Sequence, residues 1–185
     1  MKLTVKSRDG EKKSDLKQIR REGNIPAIIY SSSSQPQKLE LVGVEFSAAL
    51  RAMKPGQLST TVFVLNDGKK ERRAIIKDIQ YQLTTYRVFH IDFEELIDDV
   101  PVSVKVPVNC IGVAECVGIK MGGFLRPVNR NVRVECLPKF IPAEFLVDVR
   151  DLGIRQSKRL KDIPMPQGVR PLASLEEVIV VIAKR

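Results

Sequence analysis

The chain has no tryptophan, and phenylalanine and tyrosine together make up only 5% of its 185 residues. A sugar- or cap-binding site built on aromatic platforms is therefore not expected. Histidine occurs once, at His90. The three cysteines, Cys110, Cys116 and Cys136, cannot all pair with one another. The first two are not at zinc-finger spacing, and a single histidine adds little to a ligand set. They read as reduced, mostly buried thiols of a cytosolic protein. No apolar run approaches the roughly eighteen residues of a membrane span. The opening MKLTVKSRDG lacks an apolar signal-peptide core. Membrane, metal and cofactor are thus not expected.

What is present is positive charge. The chain carries 31 Lys+Arg against 22 Asp+Glu, a formal net charge of +9. Such a balance favours a polyanionic partner, most simply nucleic acid. Hydrophobic residues at 43% are enough to bury a core. The length fits one large domain or two small ones.

Residues 2–8 and 26–30 are expected to form strands, and the polar YSSSSQPQK, residues 30–38, a loop between strands. SDLKQIRREGNIP reads as a helix with Ser14 as N-cap, Gly23 as the stop and Pro26 preventing continuation. Leu16 and Ile19 form its apolar side. Lys17, Arg20 and Arg21 gather on another side, with Lys13 just ahead. A solvated helix usually mixes signs through i,i+4 pairs; this segregation suits a phosphate backbone. In VEFSAALRAMKPG, Phe46, Ala49, Leu50 and Met53 recur at core-packing spacing, and Pro55-Gly56 ends the helix. Two strands around an Asn-Asp-Gly turn follow.

Residues 86–93, YRVFHIDF, alternate as a strand. Phe89, Ile91 and Phe93 are expected to face the core, and Tyr86, Val88, His90 and Asp92 to face outward. His90 and Asp92 then stand about 6–7 Å apart along the strand. Without side-chain convergence that is too far for a catalytic hydrogen bond. It suits two groups shown side by side to a rigid surface, and an ordinary exposed pair fits the same pattern.

The texture changes after EELIDD. VPVSVKVPV places Val100, Val102, Val104, Val106 and Val108 on one face, with further strands expected at 124–128, 131–137, 144–149 and 177–183. The expected fold is mainly β. A small β-barrel with two short helices occupies residues 1–95, and an all-β sandwich or roll occupies 96–185.

KSDLKQIRREGNIPAIIY, followed some way on by DIQ and then HIDF, resembles the bacterial large-subunit ribosomal protein family that binds 5S ribosomal RNA. GIKMGG, VECLPKFIPAEFLVDVRDLGI and LKDIPMPQGV resemble its long two-domain form, the Ctc or general stress protein type. The resemblance implies a cytoplasmic, non-catalytic constituent of the ribosome. Its barrel would dock on the minor-groove side of the non-Watson–Crick loop E region of 5S RNA. It implies RNA contacts at Arg8, Lys13, Ser14, Arg20, Tyr30, Gln80, His90 and Asp92, to which the basic helix face adds Lys17 and Arg21. Lys17 stands where the family usually has arginine, Gln18 replaces a second arginine, and Ser31 replaces the glycine after the tyrosine. YQLTTYR also departs from the usual connection before the histidine.

The residue chemistry agrees with that implication. RNA minor grooves display 2′-hydroxyls and base edges, which require acceptors as well as cations. An ionised aspartate accepts only, so Asp92 suits a guanine amino group or a 2′-hydroxyl and repels phosphate. Arg126, Arg130, Arg133, Arg155, Lys158 and Arg159 of the second domain suit ribosomal RNA, a neighbouring ribosomal protein or plain solvent. Two other readings remain. One is a tRNA-binding module like the anticodon-binding barrel of glutaminyl-tRNA synthetase, although no Rossmann-type nucleotide motif is present. The other is a hydrolase using His90 with a cysteine, which would have to cross the domain boundary.

Overall fold

The computed structural model describes residues 1–8, 13–31, 34–68 and 70–184. It divides into two compact units, Met1–Val100 and Pro101–Arg185.

Six strands of the first unit close into a barrel: β1 (Lys2–Ser7), β2 (Ile25–Tyr30), β3 (Gln37–Leu41), β4 (Phe63–Asn66), β5 (Glu71–Tyr81) and β6 (Val88–Glu95). Their order around the barrel is β1-β3-β2-β6-β5-β4. The pairs β2–β6 and β1–β4 are parallel, and the other four are antiparallel. Period-two alternation sends Leu3, Val5, Ala27, Ile29, Leu39, Leu41, Leu65 and Ile91 inward. Phe63 and Phe93 meet edge-to-face with centroids 6.3 Å apart, and Phe46 lies 6.4 Å from Phe63.

Phe46 comes from α2 (Gly43–Ala52), whose Ala49 and Leu50 pack on the same core, as does Met53 just beyond. Helix α1 runs Lys13–Arg21. Lys13 therefore lies within the helix, where it was expected just ahead. Ser14 is inside the first turn, its Oγ 2.9 Å from Asp15 Oδ1, so it does not act as the cap. The end of α1 follows the sequence: Ile19 is buried, and Gly23 takes a left-handed φ of 85°. Asn24 N–H bonds back to the Ile19 carbonyl at 3.0 Å. A Cβ on Gly43 would lie 2.0 Å from the Gly23 carbonyl oxygen, so glycine there lets α2 start directly against the end of α1.

The β5–β6 ladder holds two irregularities. Ile76 pairs with Phe93 but Asp78 with Asp92, so Lys77 is extra; Gln80 pairs with His90 but Tyr81 with Val88, so Phe89 is extra. The second bulge overturns the strict alternation expected over 86–93. Phe89 is 40% exposed, and Val88 turns to pack on the core. One inserted residue reverses the facing of what precedes it. Tyr86 lies in the loop before β6, in a left-handed backbone with φ 53°.

The second unit contains a four-stranded sheet, β10-β7-β9-β12, and a three-stranded sheet, β11-β13-β8. The strands are β7 (Val102–Ile111), β8 (Gly123–Pro127), β9 (Asn131–Cys136), β10 (Phe145–Asp148), β11 (Ser157–Arg159), β12 (Val169–Pro171) and β13 (Val178–Lys184). Val102, Val104 and Val106 are buried as their alternation requires. The fold is thus mainly β throughout, a barrel followed by a β-sheet domain. The three cysteines are free; Cys116 and Cys136 are buried, and burial pushes the Cys110 and Cys136 thiols up.

Candidate nucleic-acid interface

The outer surface of β2, β6 and β5 gathers four of the residues singled out in the sequence. Gln80 stands opposite His90 on the β5–β6 ladder. Across the parallel pair, Ile28 stands opposite Asp92 and Tyr30 opposite Glu94. Tyr30, Gln80, His90 and Asp92 therefore share one face although they come from three strands.

Two strand neighbours were expected to stay out of hydrogen-bond reach, but their side chains converge. His90 Nδ1 lies 2.8 Å from Asp92 Oδ1. The contact fixes the ring orientation, with Nδ1 toward the carboxylate and Nε2 on the other side of the ring. The His90 side chain is only 19% exposed and that of Asp92 33%. Both side chains are partly buried in the surface.

The face is richer in acid than the sequence reading anticipated. Asp78 stands directly opposite Asp92. Like charges placed opposite each other destabilise a ladder by some tenths of a kcal/mol to about 1 kcal/mol. The signal was present in DIQ, because Asp78 and Gln80 are two apart on one strand and share its face. Glu94 is matched by Lys77, with Nζ 2.8 Å from Oε2. Tyr30 lies among these groups. Partial burial pushes its phenol up, and Glu94, Asp92 and Asp78 push it further. The hydroxyl therefore keeps its proton and remains a donor.

The cations border this face. Arg20 lies with its guanidinium carbon 3.4 Å from the centroid of the Phe89 ring, and its Nε donates to the Phe89 carbonyl at 3.3 Å. This contact pins the end of α1 to the start of β6, one residue from His90. Partial burial lowers the Arg20 pKa, and nearby Arg8 lowers it further. Arg8 in turn donates from Nε to the Leu39 carbonyl at 3.1 Å. Both arginines thus have structural anchors as well as charge. Lys13, Ser14, Lys17 and Arg21 are exposed on α1. They stand on the helix, not on the strands that carry Tyr30, His90 and Asp92. Among the described residues, no three His, Cys, Asp or Glu side chains gather as a metal set. No helix among them is long and apolar enough to cross a membrane.

Comparison with known proteins finds matches to both units. The Ribosomal L25p family model matches residues 3–93, and the model for Ribosomal protein TL5, C-terminal domain, matches residues 101–185. The chain is 46% identical over 185 residues to the large ribosomal subunit protein bL25 of Chlamydia abortus, covering 100% of both chains. It is 45% identical to that of Chlamydia trachomatis serovar L2 and 43% identical to that of Chlamydia pneumoniae, again over 100% of each. These are families of ribosomal proteins, not of enzymes. The chain belongs to the ribosomal L25p family, in the form that carries a TL5-type C-terminal domain.

Proposed function

We propose that the chain binds 5S ribosomal RNA, at the loop E region, through the β2–β6–β5 face and helix α1, as a structural protein of the large ribosomal subunit. Subunit membership and the absence of catalysis follow from the family. The RNA reading rests on one observation above the others. Tyr30, Gln80, His90 and Asp92 lie on one sheet face, with a helix carrying Lys13, Lys17, Arg20 and Arg21 pinned against its margin.

That arrangement divides the work of recognition. The exposed cations of α1 supply attraction to phosphate and carry no sequence information. The sheet face supplies a donor at Tyr30, an amide at Gln80, an acceptor at Asp92, and at His90 an imidazole that can donate or accept. Asp78 and Asp92 repel phosphate, so a backbone cannot lie across them. The surface fits a groove that brings 2′-hydroxyls or base amino groups.

The deciding experiment is a filter-binding titration of the full chain. One RNA is intact 5S RNA and the other is 5S RNA with loop E rebuilt as Watson–Crick pairs. Tight binding to the first and much weaker binding to the second is expected. Equal affinity for both would refute the assignment.

A further inference from the structure

A second feature of the first unit lies outside the face just described. The end of α1, the start of α2 and the β5–β6 hairpin enclose a groove of about 640 Å³. That volume lies within the ~300–1,000 Å³ of ordinary ligand sites. Three arginines line it, Arg20, Arg51 and Arg87, and no lining residue is acidic. Three aromatic rings line it as well, Tyr81, Tyr86 and Phe89. Aromatics are only 5% of the chain, so three in one groove is a concentration that composition does not predict.

These rings are held out of the core. Tyr86 is 81% exposed and Tyr81 46% exposed. Tyr86 sits at φ 53°, which a bulky residue rarely adopts. The loop is nevertheless fixed: Tyr86 N–H donates to the Gln82 carbonyl at 2.9 Å, and Gln82 N–H to the Arg87 carbonyl at 2.8 Å. Arg20 covers one face of Phe89, extending that ring into a flat cationic surface.

We propose that this groove binds a single-stranded RNA segment, with an unpaired base stacked on Tyr81 or Tyr86 against the Arg20–Phe89 pair and its phosphates held by Arg51 and Arg87. Every base offers a π-face, so rings and arginines hold unpaired nucleotides without regard to sequence. A protein partner would also use tyrosine and arginine. The charged residues of the lining are all cationic, which favours the polyanion. The groove shares Arg20 with the 5S reading, but Tyr30, Gln80, His90 and Asp92 do not line it.

The test uses the full chain and a short fluorescein-labelled oligoadenylate, with heparin as a polyanion that has no bases. Tyr86→Gly removes a ring and leaves a residue that accepts the left-handed backbone. Tyr81→Ala is the second variant. Neither alters charge. Wild-type binding to oligoadenylate, weakened about 5- to 150-fold by each substitution, is the expected result, from the cost of losing one stacked base. Heparin affinity should stay within about twofold. No oligoadenylate binding by the wild type, unchanged affinity in both variants, or an equal loss on heparin would each overturn the proposal. Affinity for 5S RNA is read on the same variants. If it persists when oligoadenylate binding is absent, the groove assignment fails alone; if it is absent when oligoadenylate binds, the sheet-face assignment fails alone.

Discussion

His90 Nδ1 lies 2.8 Å from Asp92 Oδ1, so the two residues act as one unit on the face of β6. Substituting either should disturb the other. His90→Ala and Asp92→Ala are each expected to cost about 1–3 kcal/mol of 5S RNA affinity, the cost of leaving a partner group unsatisfied in a desolvated interface. The double variant should cost less than the sum, by roughly 0.5–3 kcal/mol of coupling. Affinities of the four proteins at one salt concentration test this. Strict additivity would mean that the imidazole–carboxylate contact plays no part in binding.

Asp92→Ala separates reading from attraction. Removing a negative charge beside a polyanion should tighten binding to unrelated RNA, or leave it unchanged. If Asp92 accepts a hydrogen bond from the RNA, the same substitution weakens binding to 5S RNA. Parallel titrations against 5S RNA and an unrelated duplex of similar length give the comparison. Stronger binding to both would remove Asp92 from the reading surface.

Salt dependence reports on α1. With about four to six cations meeting phosphates, the log–log slope of affinity against salt is expected to be about −3 to −5. Lys17→Gln and Arg21→Gln should each reduce its magnitude by about 1. Arg20→Gln should do more, because it also releases the end of α1 from Phe89. A slope near zero would contradict the role of the helix.

Phe89 and Phe93 are four residues apart in β6 and should respond very differently to truncation. Phe93 is fully buried, so Phe93→Ala is expected to destabilise the first unit by about 3–5 kcal/mol. Phe89→Ala removes an exposed ring and a cation–π contact, and about 0.5–1 kcal/mol is expected. Urea denaturation of the two variants distinguishes them. Equal losses would place Phe89 in the core after all.

Tyr30 ties the face to alkaline pH. Its phenol is pushed up in the folded protein, so the folded state holds the proton more tightly than the unfolded chain. This contribution is fully present below the unfolded value of about 10 and is lost as pH rises through the higher folded value. Tyr30→Phe should flatten that part of the alkaline stability profile. Denaturation midpoints measured across alkaline pH for both proteins would show it.

Much of this surface was legible because a strand reports its own facing. HIDF places His90 and Asp92 together, and DIQ places Asp78 with Gln80. What a strand does not report is its neighbour. The parallel pairing that brings Tyr30 beside these groups is a tertiary fact without a local sequence signal. Bulges are equally silent. Phe89 looks like a core residue because nothing in YRVFHIDF marks the extra position. The short strands β3, β11 and β12 escaped because QKLEL, SKR and VRP are charged or too brief to show a period. The serine run ahead of β3 also reads as loop, and residues 32–33 of it lie outside the described ones. The aromatic groove was hidden differently, since composition counts rings without saying where they meet.

The two parallel pairs of the barrel have a mechanical consequence. They act as seams joining two antiparallel ribbons, β1-β3-β2 and β6-β5-β4. Parallel ladders hold slightly less per residue, so the cylinder parts most readily along these lines. Tyr30 stands on one side of the β2–β6 seam, and His90 and Asp92 stand on the other. A ligand gripping both sides is a suture, and its binding free energy adds to the resistance against opening. RNA held on this face would thereby lengthen the lifetime of the barrel that holds it, and amide exchange along Ala27–Tyr30 would be the first to slow.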